Sequence, residues 1–363
     1  MICYRFIKYV FRQIATAFYY KEITFMSRRY ELDFCRICAC LMVVMLHVAA
    51  SGWFIDPALT EWKFFNFTDM AMRAGVPLFF MISGALFLEK EHLDIKKFIS
   101  RNVSRLIYVY FIWSFLYQLV HQHVYHTYKN VSDFLVGVIK GPGHLWFLPA
   151  MIIVYLFLPV VHNALKGGSL NPKYILMLFV ILTLLTTNLQ LLPECPAIIK
   201  ELCGKINLTH ISYLGYMALG FILSQATYNR KFLVLAPFIY FITTVLSALG
   251  NQWLSLRDGK AGVYLYGYFS LPVFIQACCI FIFFQCLKNR NVKYPKALAY
   301  LSDCTFGIYL LHFMVLDFWQ RRNISVSSFH PLASIPSIYL LVLCESIIII
   351  SILKKIPLLQ KLV

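Results

Sequence analysis

Apolar residues run along this chain in long stretches bounded by charge, Pro or Gly, without the strict alternation of a half-buried strand. The stretches fall near 34–54, 70–88, 105–124, 145–162, 174–192, 210–227, 232–250, 264–287, 303–320 and 332–353. A helix needs roughly 20 apolar residues to cross a bilayer core. Every backbone N–H and C=O at that depth must be paired within its own segment, which a helix achieves. The pattern predicts an all-α, polytopic membrane protein with about ten transmembrane helices.

Composition makes the bilayer the solvent. Of 363 residues, 60% are hydrophobic and 13% charged, with a mean hydropathy of +0.70. Soluble domains average about 45–50% apolar and about 25% charged, so a water-soluble enzyme is excluded. Ten spans take up about 200 positions, which leaves loops and ends and no separate soluble domain. The 32 Phe, 23 Tyr and 6 Trp suit a chain that meets lipid tails and headgroups with rings. No internal repeat or low-complexity tract is apparent.

The formal charge of +17 raises nucleic acid as a partner, but the basic residues are scattered and form no run of five. Topology accounts for them. With the N-terminus inside, most of the 33 Lys and Arg fall on cytoplasmic segments, which orients the chain with both termini cytoplasmic in the cell (inner) membrane. Residues 1–29 alternate aromatic and basic side chains and lack the core of a signal peptide. They read as an interfacial helix or as a start-site artefact ahead of Met26. Residues 30–356 form the membrane domain and 357–363 a short cytoplasmic tail.

Eleven Cys in such a chain are mostly small apolar fillers. Cys35 and Cys38 lie at the start of an apolar helix with no second pair at zinc-site spacing, so no metal is expected. Cys195 and Cys203 share one outer loop, where a disulfide suits an oxidising compartment.

Titratable residues inside spans are costly and face a bundle interior or a water-filled cavity. Arg36 and His47 are eleven residues apart, about 16 Å along a helix and three turns plus about 20°, so they share a face. Asp33 sits one turn before Arg36, spaced for an ion pair or a helix cap; both could equally anchor the helix at the headgroups. The second span holds Arg73 and then GVPLFFMISG, where Ser83 reads as a packing residue or a relay nucleophile. Arg101 and Arg105 share one helix face at the cytoplasmic surface and either grip an anionic donor or anchor to headgroups. A Gly-Pro-Gly turn presents His144 and Trp146 at the outer interface. The ninth span places Tyr309 and His312 near mid-membrane and the tenth places Glu345 at similar depth.

Taken together, YELDFCRICACLMVVMLH, GVPLFFMISGALFL, the basic stretch before the third span, HLWFLPAMIIVYLFLP, YLGYMALGFIL and FGIYLLH resemble the integral-membrane acyltransferases of type three. Without a trailing extracytoplasmic esterase-like domain, the chain looks like the free-standing members, such as those acting on enterobacterial common antigen. The resemblance implies an O-acyltransferase that moves an acyl group, most simply acetyl from cytoplasmic acetyl-CoA, to a hydroxyl of a cell-envelope sugar or polysaccharide. It implies His47 as base and Arg36 as its motif partner, with Arg101, Arg105 and Asp33 at the donor. The family's basic pair is spaced Arg-x-x-Arg, whereas here three residues separate Arg101 from Arg105 and Asn102 takes the first position. The expected co-substrates are an acyl-CoA and a glycan or glycolipid, with no bound cofactor and with the bilayer as partner. Arg73, Ser83, His144, Trp146, Tyr309 and His312 are expected to meet substrate.

The rival reading is a transporter or flippase for a sugar-lipid or small solute, since intramembrane His, Arg and Glu also mark proton-coupled carriers. No matched pair of broken helices in two halves supports it. Some serine racemases carry the same membrane domain, but here the soluble racemase domain is missing. The residues leave open the acyl group, the acceptor, the oligomeric state and whether transfer is direct or passes through an acyl-enzyme.

Overall fold

The structure, a computed structural model, describes residues 28–185, 187, 210–288 and 295–363. The segment before Arg28, the loop carrying Cys195 and Cys203 and the outer end of the fifth predicted span lie outside the described residues. Among those described there is no strand. The main helices are α1 (Tyr30–Ala50), α2 (Thr60–Met72), α3 (Gly75–Phe87), α4 (Ile95–Phe98), α5 (Ser104–Tyr125), α6 (Val131–Lys140), α7 (Phe147–Lys166), α8 (Pro172–Phe179), α9 (Tyr213–Gln225), α10 (Phe232–Arg257), α11 (Leu271–Gln285), α12 (Lys296–Gln320) and α13 (Pro331–Leu353). A π-turn, Ile99–Val103, joins α4 to α5, and a 3-10 turn, Gly143–Trp146, leads into α7.

A helix lies within each predicted interval, although over 264–287 only Leu271–Gln285 is helical. Seven helical stretches are long and apolar enough to cross a bilayer: Tyr30–Ala50, Thr60–Phe87, Ile95–Tyr125, Gly143–Lys166, Phe232–Arg257, Lys296–Gln320 and Pro331–Leu353. Leu271–Gln285 is apolar but shorter. The second stretch begins ten residues before the hydropathy run at 70–88. Two of its polar residues, Asn66 and Asp69, are buried and paired, so hydropathy understates it: Asn66 donates to Ala248 O at 2.8 Å and accepts from Asn251 at 3.1 Å and from the Tyr266 hydroxyl.

The helices are apolar outside and partly polar inside, as lipid requires. On α10 the exposed positions include Val234, Phe238, Leu246 and Trp253, while Thr244, Ser247, Asn251 and Ser255 are buried. α1 lies at the centre, packed against α2, α3, α12 and α13. α3 and α9 cross closely. A Cβ on Gly84 would run into the backbone of Met217, and one on Gly220 into the backbone of Met81. Small residues allow backbones this close to gain dispersion contacts where lipid supplies no hydrophobic drive.

Candidate active site

The site is built along α1 and closed by α12. At the cytoplasm-side end predicted for α1, the buried Asp33 carboxylate accepts from Arg36 at 3.0 Å, from Ser302 Oγ at 2.8 Å and from Arg28 Nε. Arg28 also bonds Asp303 at 2.8 Å. Asp33 is thus engaged with two arginines and a serine. Arg36 keeps part of its guanidinium accessible and lines a cavity of about 220 Å³.

That cavity has few polar groups: Arg36, Ser83, Tyr155, Thr305 and Tyr309, set among aromatic and aliphatic walls. A mostly apolar cleft with a few placed polar groups is the usual form of a small-molecule site. Ser83 Oγ lies 2.9 Å from Phe79 O and 3.0 Å from the Tyr155 hydroxyl. It is a wall residue engaged with its own helix and is not part of the histidine group described next. Arg105 lies outside the cavity: it donates to Val363 O at 3.1 Å and its guanidinium carbon is 5.4 Å from the ring of Phe306, a wall residue. Arg101 is exposed on the π-turn.

Three histidines from three elements meet beyond the cavity. His47 Nδ1 is 2.9 Å from Val43 O and 3.1 Å from His312 Nε2, while His312 Nδ1 is 3.1 Å from Ile308 O. The ring of His144 lies 6.4 Å from that of His47 and 5.9 Å from that of His312, stacked on Phe313 at 4.6 Å. His144 and His312 are buried, and His47 alone of the three is partly accessible. Among the described residues neither ring nitrogen of His144 has a hydrogen-bond partner. Tyr309 connects the two regions: it lines the cavity, and its hydroxyl donates to the His144 carbonyl at 2.7 Å.

Alternate side chains of the 3-10 turn enter different clusters. His144 faces the other histidines, whereas the ring of Trp146 lies 5.2 Å from that of Tyr268. Tyr268 also faces Arg73, whose guanidinium carbon is 5.9 Å from its ring and which grips the buried Asp69 through two bonds of 2.6 and 2.9 Å. Arg73 and Trp146 therefore both lie against the ring of Tyr268. Glu345 accepts from Trp319 at 2.9 Å and takes no part in the site. Among the described residues no three His, Cys, Asp or Glu side chains are arranged to hold a metal ion.

Several participants carry no sequence signal. Tyr117 sits in an aromatic-rich helix that reads as lipid-facing, yet its hydroxyl donates to Leu310 O at 2.9 Å, accepts from Met314 N at 3.1 Å, and its ring lies 4.7 Å from that of His144. Arg28, Tyr155 and Ser302 are likewise visible only once α12 and α7 are packed.

Comparison with known proteins places the chain in a family. ORF330 of Acidianus two-tailed virus, which bears a provisional acetyltransferase name, is 20% identical over 259 residues, covering 66% of this chain and 72% of its own length. No solved structure matches the chain. Residues 29–353 match a family described as an acyltransferase domain, so the chain belongs to the type-three acyltransferases and is a multi-pass membrane acyltransferase.

Proposed function

We propose that this acyltransferase moves an acyl group, acetyl in the first instance, from a cytoplasmic acyl-CoA to a hydroxyl of a cell-envelope sugar, polysaccharide or glycolipid in the inner membrane. The observation that carries the proposal is a partly accessible His47 beside a mostly apolar cavity with Arg36 in its wall. Arg36 and the more exposed Arg105 and Arg101 suit the phosphates of the donor, since guanidinium groups bind phosphate through paired hydrogen bonds. The apolar walls suit the pantetheine arm. Arg73, Tyr268 and Trp146 form an aromatic and cationic face suited to an acceptor sugar.

A sugar hydroxyl is a weak nucleophile at neutral pH, and a positioned base contributes about 10²–10⁴-fold. His47 takes the hydroxyl proton as the oxygen attacks the thioester carbonyl. The new C–O bond forms, the C–S bond breaks, and the leaving thiolate receives the proton from His47. No acyl-enzyme is needed.

The test is transfer of labelled acetyl from acetyl-CoA to envelope glycans by membranes carrying wild type or His47→Ala at matched levels. Label that depends on His47 supports the reading. Full transfer by His47→Ala, or none by wild type with acetyl, succinyl and longer donors, refutes it and makes transport the function to test.

A further inference from the structure

The two short contacts between histidines and carbonyls determine where the protons sit. His47 Nδ1 lies 2.9 Å from Val43 O, and His312 Nδ1 lies 3.1 Å from Ile308 O. A carbonyl oxygen only accepts, so each Nδ1 must carry the ring hydrogen; a neutral imidazole has one, so each Nε2 is bare. The 3.1 Å contact between His312 Nε2 and His47 Nδ1 then has one consistent direction. His47 Nδ1–H is shared between the Val43 carbonyl and the bare nitrogen of His312. The opposite direction would set two lone pairs against two carbonyls.

We propose that His312 is a positioning residue for the transfer reaction, holding His47 in the tautomer whose Nε2 is free to act as base and stabilising the imidazolium formed when that nitrogen takes the acceptor's proton. This rests on the proposed function above. After proton uptake His47 still carries Nδ1–H, and its bond to the neutral His312 becomes charge-assisted, a class roughly twice as strong as a neutral bond. His312 itself neither gains nor loses a proton.

Packing keeps this arrangement in place. His312 is fully buried on α12, one turn from Tyr309, with the two rings 6.0 Å apart. His144 faces both rings from the 3-10 turn, Phe313 stands edge-on to His47 at 5.9 Å, and Tyr117 closes the side from α5. Each histidine is four positions beyond its carbonyl, as the helix repeat requires, and the register of α1 against α12 brings the two rings together.

The experiment has two arms. Histidine-labelled, full-length protein in detergent is examined by nitrogen NMR to read the His47 tautomer, with His47→Ala identifying its signals. Wild type should show a protonated Nδ1 and a bare Nε2; a protonated Nε2 overturns the proposal whatever the activity. In the second arm, acetyl transfer is measured for His312→Gln, His312→Asn and His312→Leu over a range of pH. Gln can place an oxygen acceptor near the site of Nε2, whereas Asn reaches only the Nδ1 position and Leu offers none. Asn and Leu should lower kcat on the order of 10–100-fold, a range seen when partners that orient a functional histidine are lost, with donor KM within about twofold. Gln should recover most of kcat. Equal activity in all three, or Gln as impaired as Leu, overturns the proposal. Wild type that transfers nothing refutes the proposed reaction instead, and the tautomer spectrum still decides the His47–His312 bond.

Discussion

The hydroxyl of Tyr309 donates to the backbone carbonyl of His144 across 2.7 Å, while its ring lines the cavity that contains Arg36. One side chain thereby ties the cavity wall on α12 to the turn that carries the third histidine. Tyr309→Phe keeps the ring and removes the bond. A net loss of about 1 kcal/mol for a hydrogen bond corresponds to about a fivefold effect, expected in kcat for acyl transfer with donor KM unchanged. Steady-state kinetics at varied acetyl-CoA will measure both.

Arg36 shares Asp33 with Arg28 and Ser302. Its removal therefore leaves the buried carboxylate paired. Arg36→Gln should leave the melting temperature in detergent near wild type and raise donor KM about tenfold or more, since a bond to a charged group contributes about 1.5–3 kcal/mol. Arg105→Gln should raise it less, and the effect should fade with added salt because Arg105 is exposed. A donor KM unaffected by Arg36→Gln would remove this residue from the donor site.

Ser83 is bound to Phe79 O and to Tyr155 and stands outside the histidine group. Without an adjacent base a serine hydroxyl is a poor nucleophile. Ser83→Ala should keep transfer within about fivefold of wild type, the scale of one neutral hydrogen bond. Acyl label that stays on wild-type protein after acid quench and is lost in Ser83→Ala would instead establish a serine relay.

The crossing of α3 and α9 leaves no room for a side chain at Gly84 or Gly220. Overpacking generally costs about 1–3 kcal/mol, and here the obstacle is backbone, so Gly84→Val should lower the melting temperature or prevent accumulation. Gly143, where an added Cβ would meet nothing within 4 Å, is the control: Gly143→Ala should melt like wild type.

Asp69 is 1% exposed and holds Arg73 through two bonds. Breaking a buried pair from one side costs about 3–5 kcal/mol, while replacing both partners with apolar residues of similar volume is often neutral. Asp69→Leu should be much less stable than Asp69→Leu combined with Arg73→Met, as read from thermal unfolding in detergent. Equal stability of the two would show that the pair carries no mutual compensation.

The residue pattern by itself determined the class of fold. Runs such as 232–250 and 332–353 have no stable place in water, and a bilayer admits them only as helices. Local spacing determined that Arg36 and His47 share a face of α1, because a helix repeats its faces with a known period. The ordered motifs determined the family. What the pattern could not carry is which residues of different helices meet. His47 and His312 are 265 positions apart, and their contact depends on the register of α1 against α12. Hydropathy understated α2, because Asn66 counts as polar until its partners on other segments, Ala248, Asn251 and Tyr266, are in place. Tyr117 cannot be told from the other aromatic residues of its helix for the same reason. In lipid, an aromatic face toward hydrocarbon and one toward a protein core have the same composition, and only tertiary packing distinguishes them.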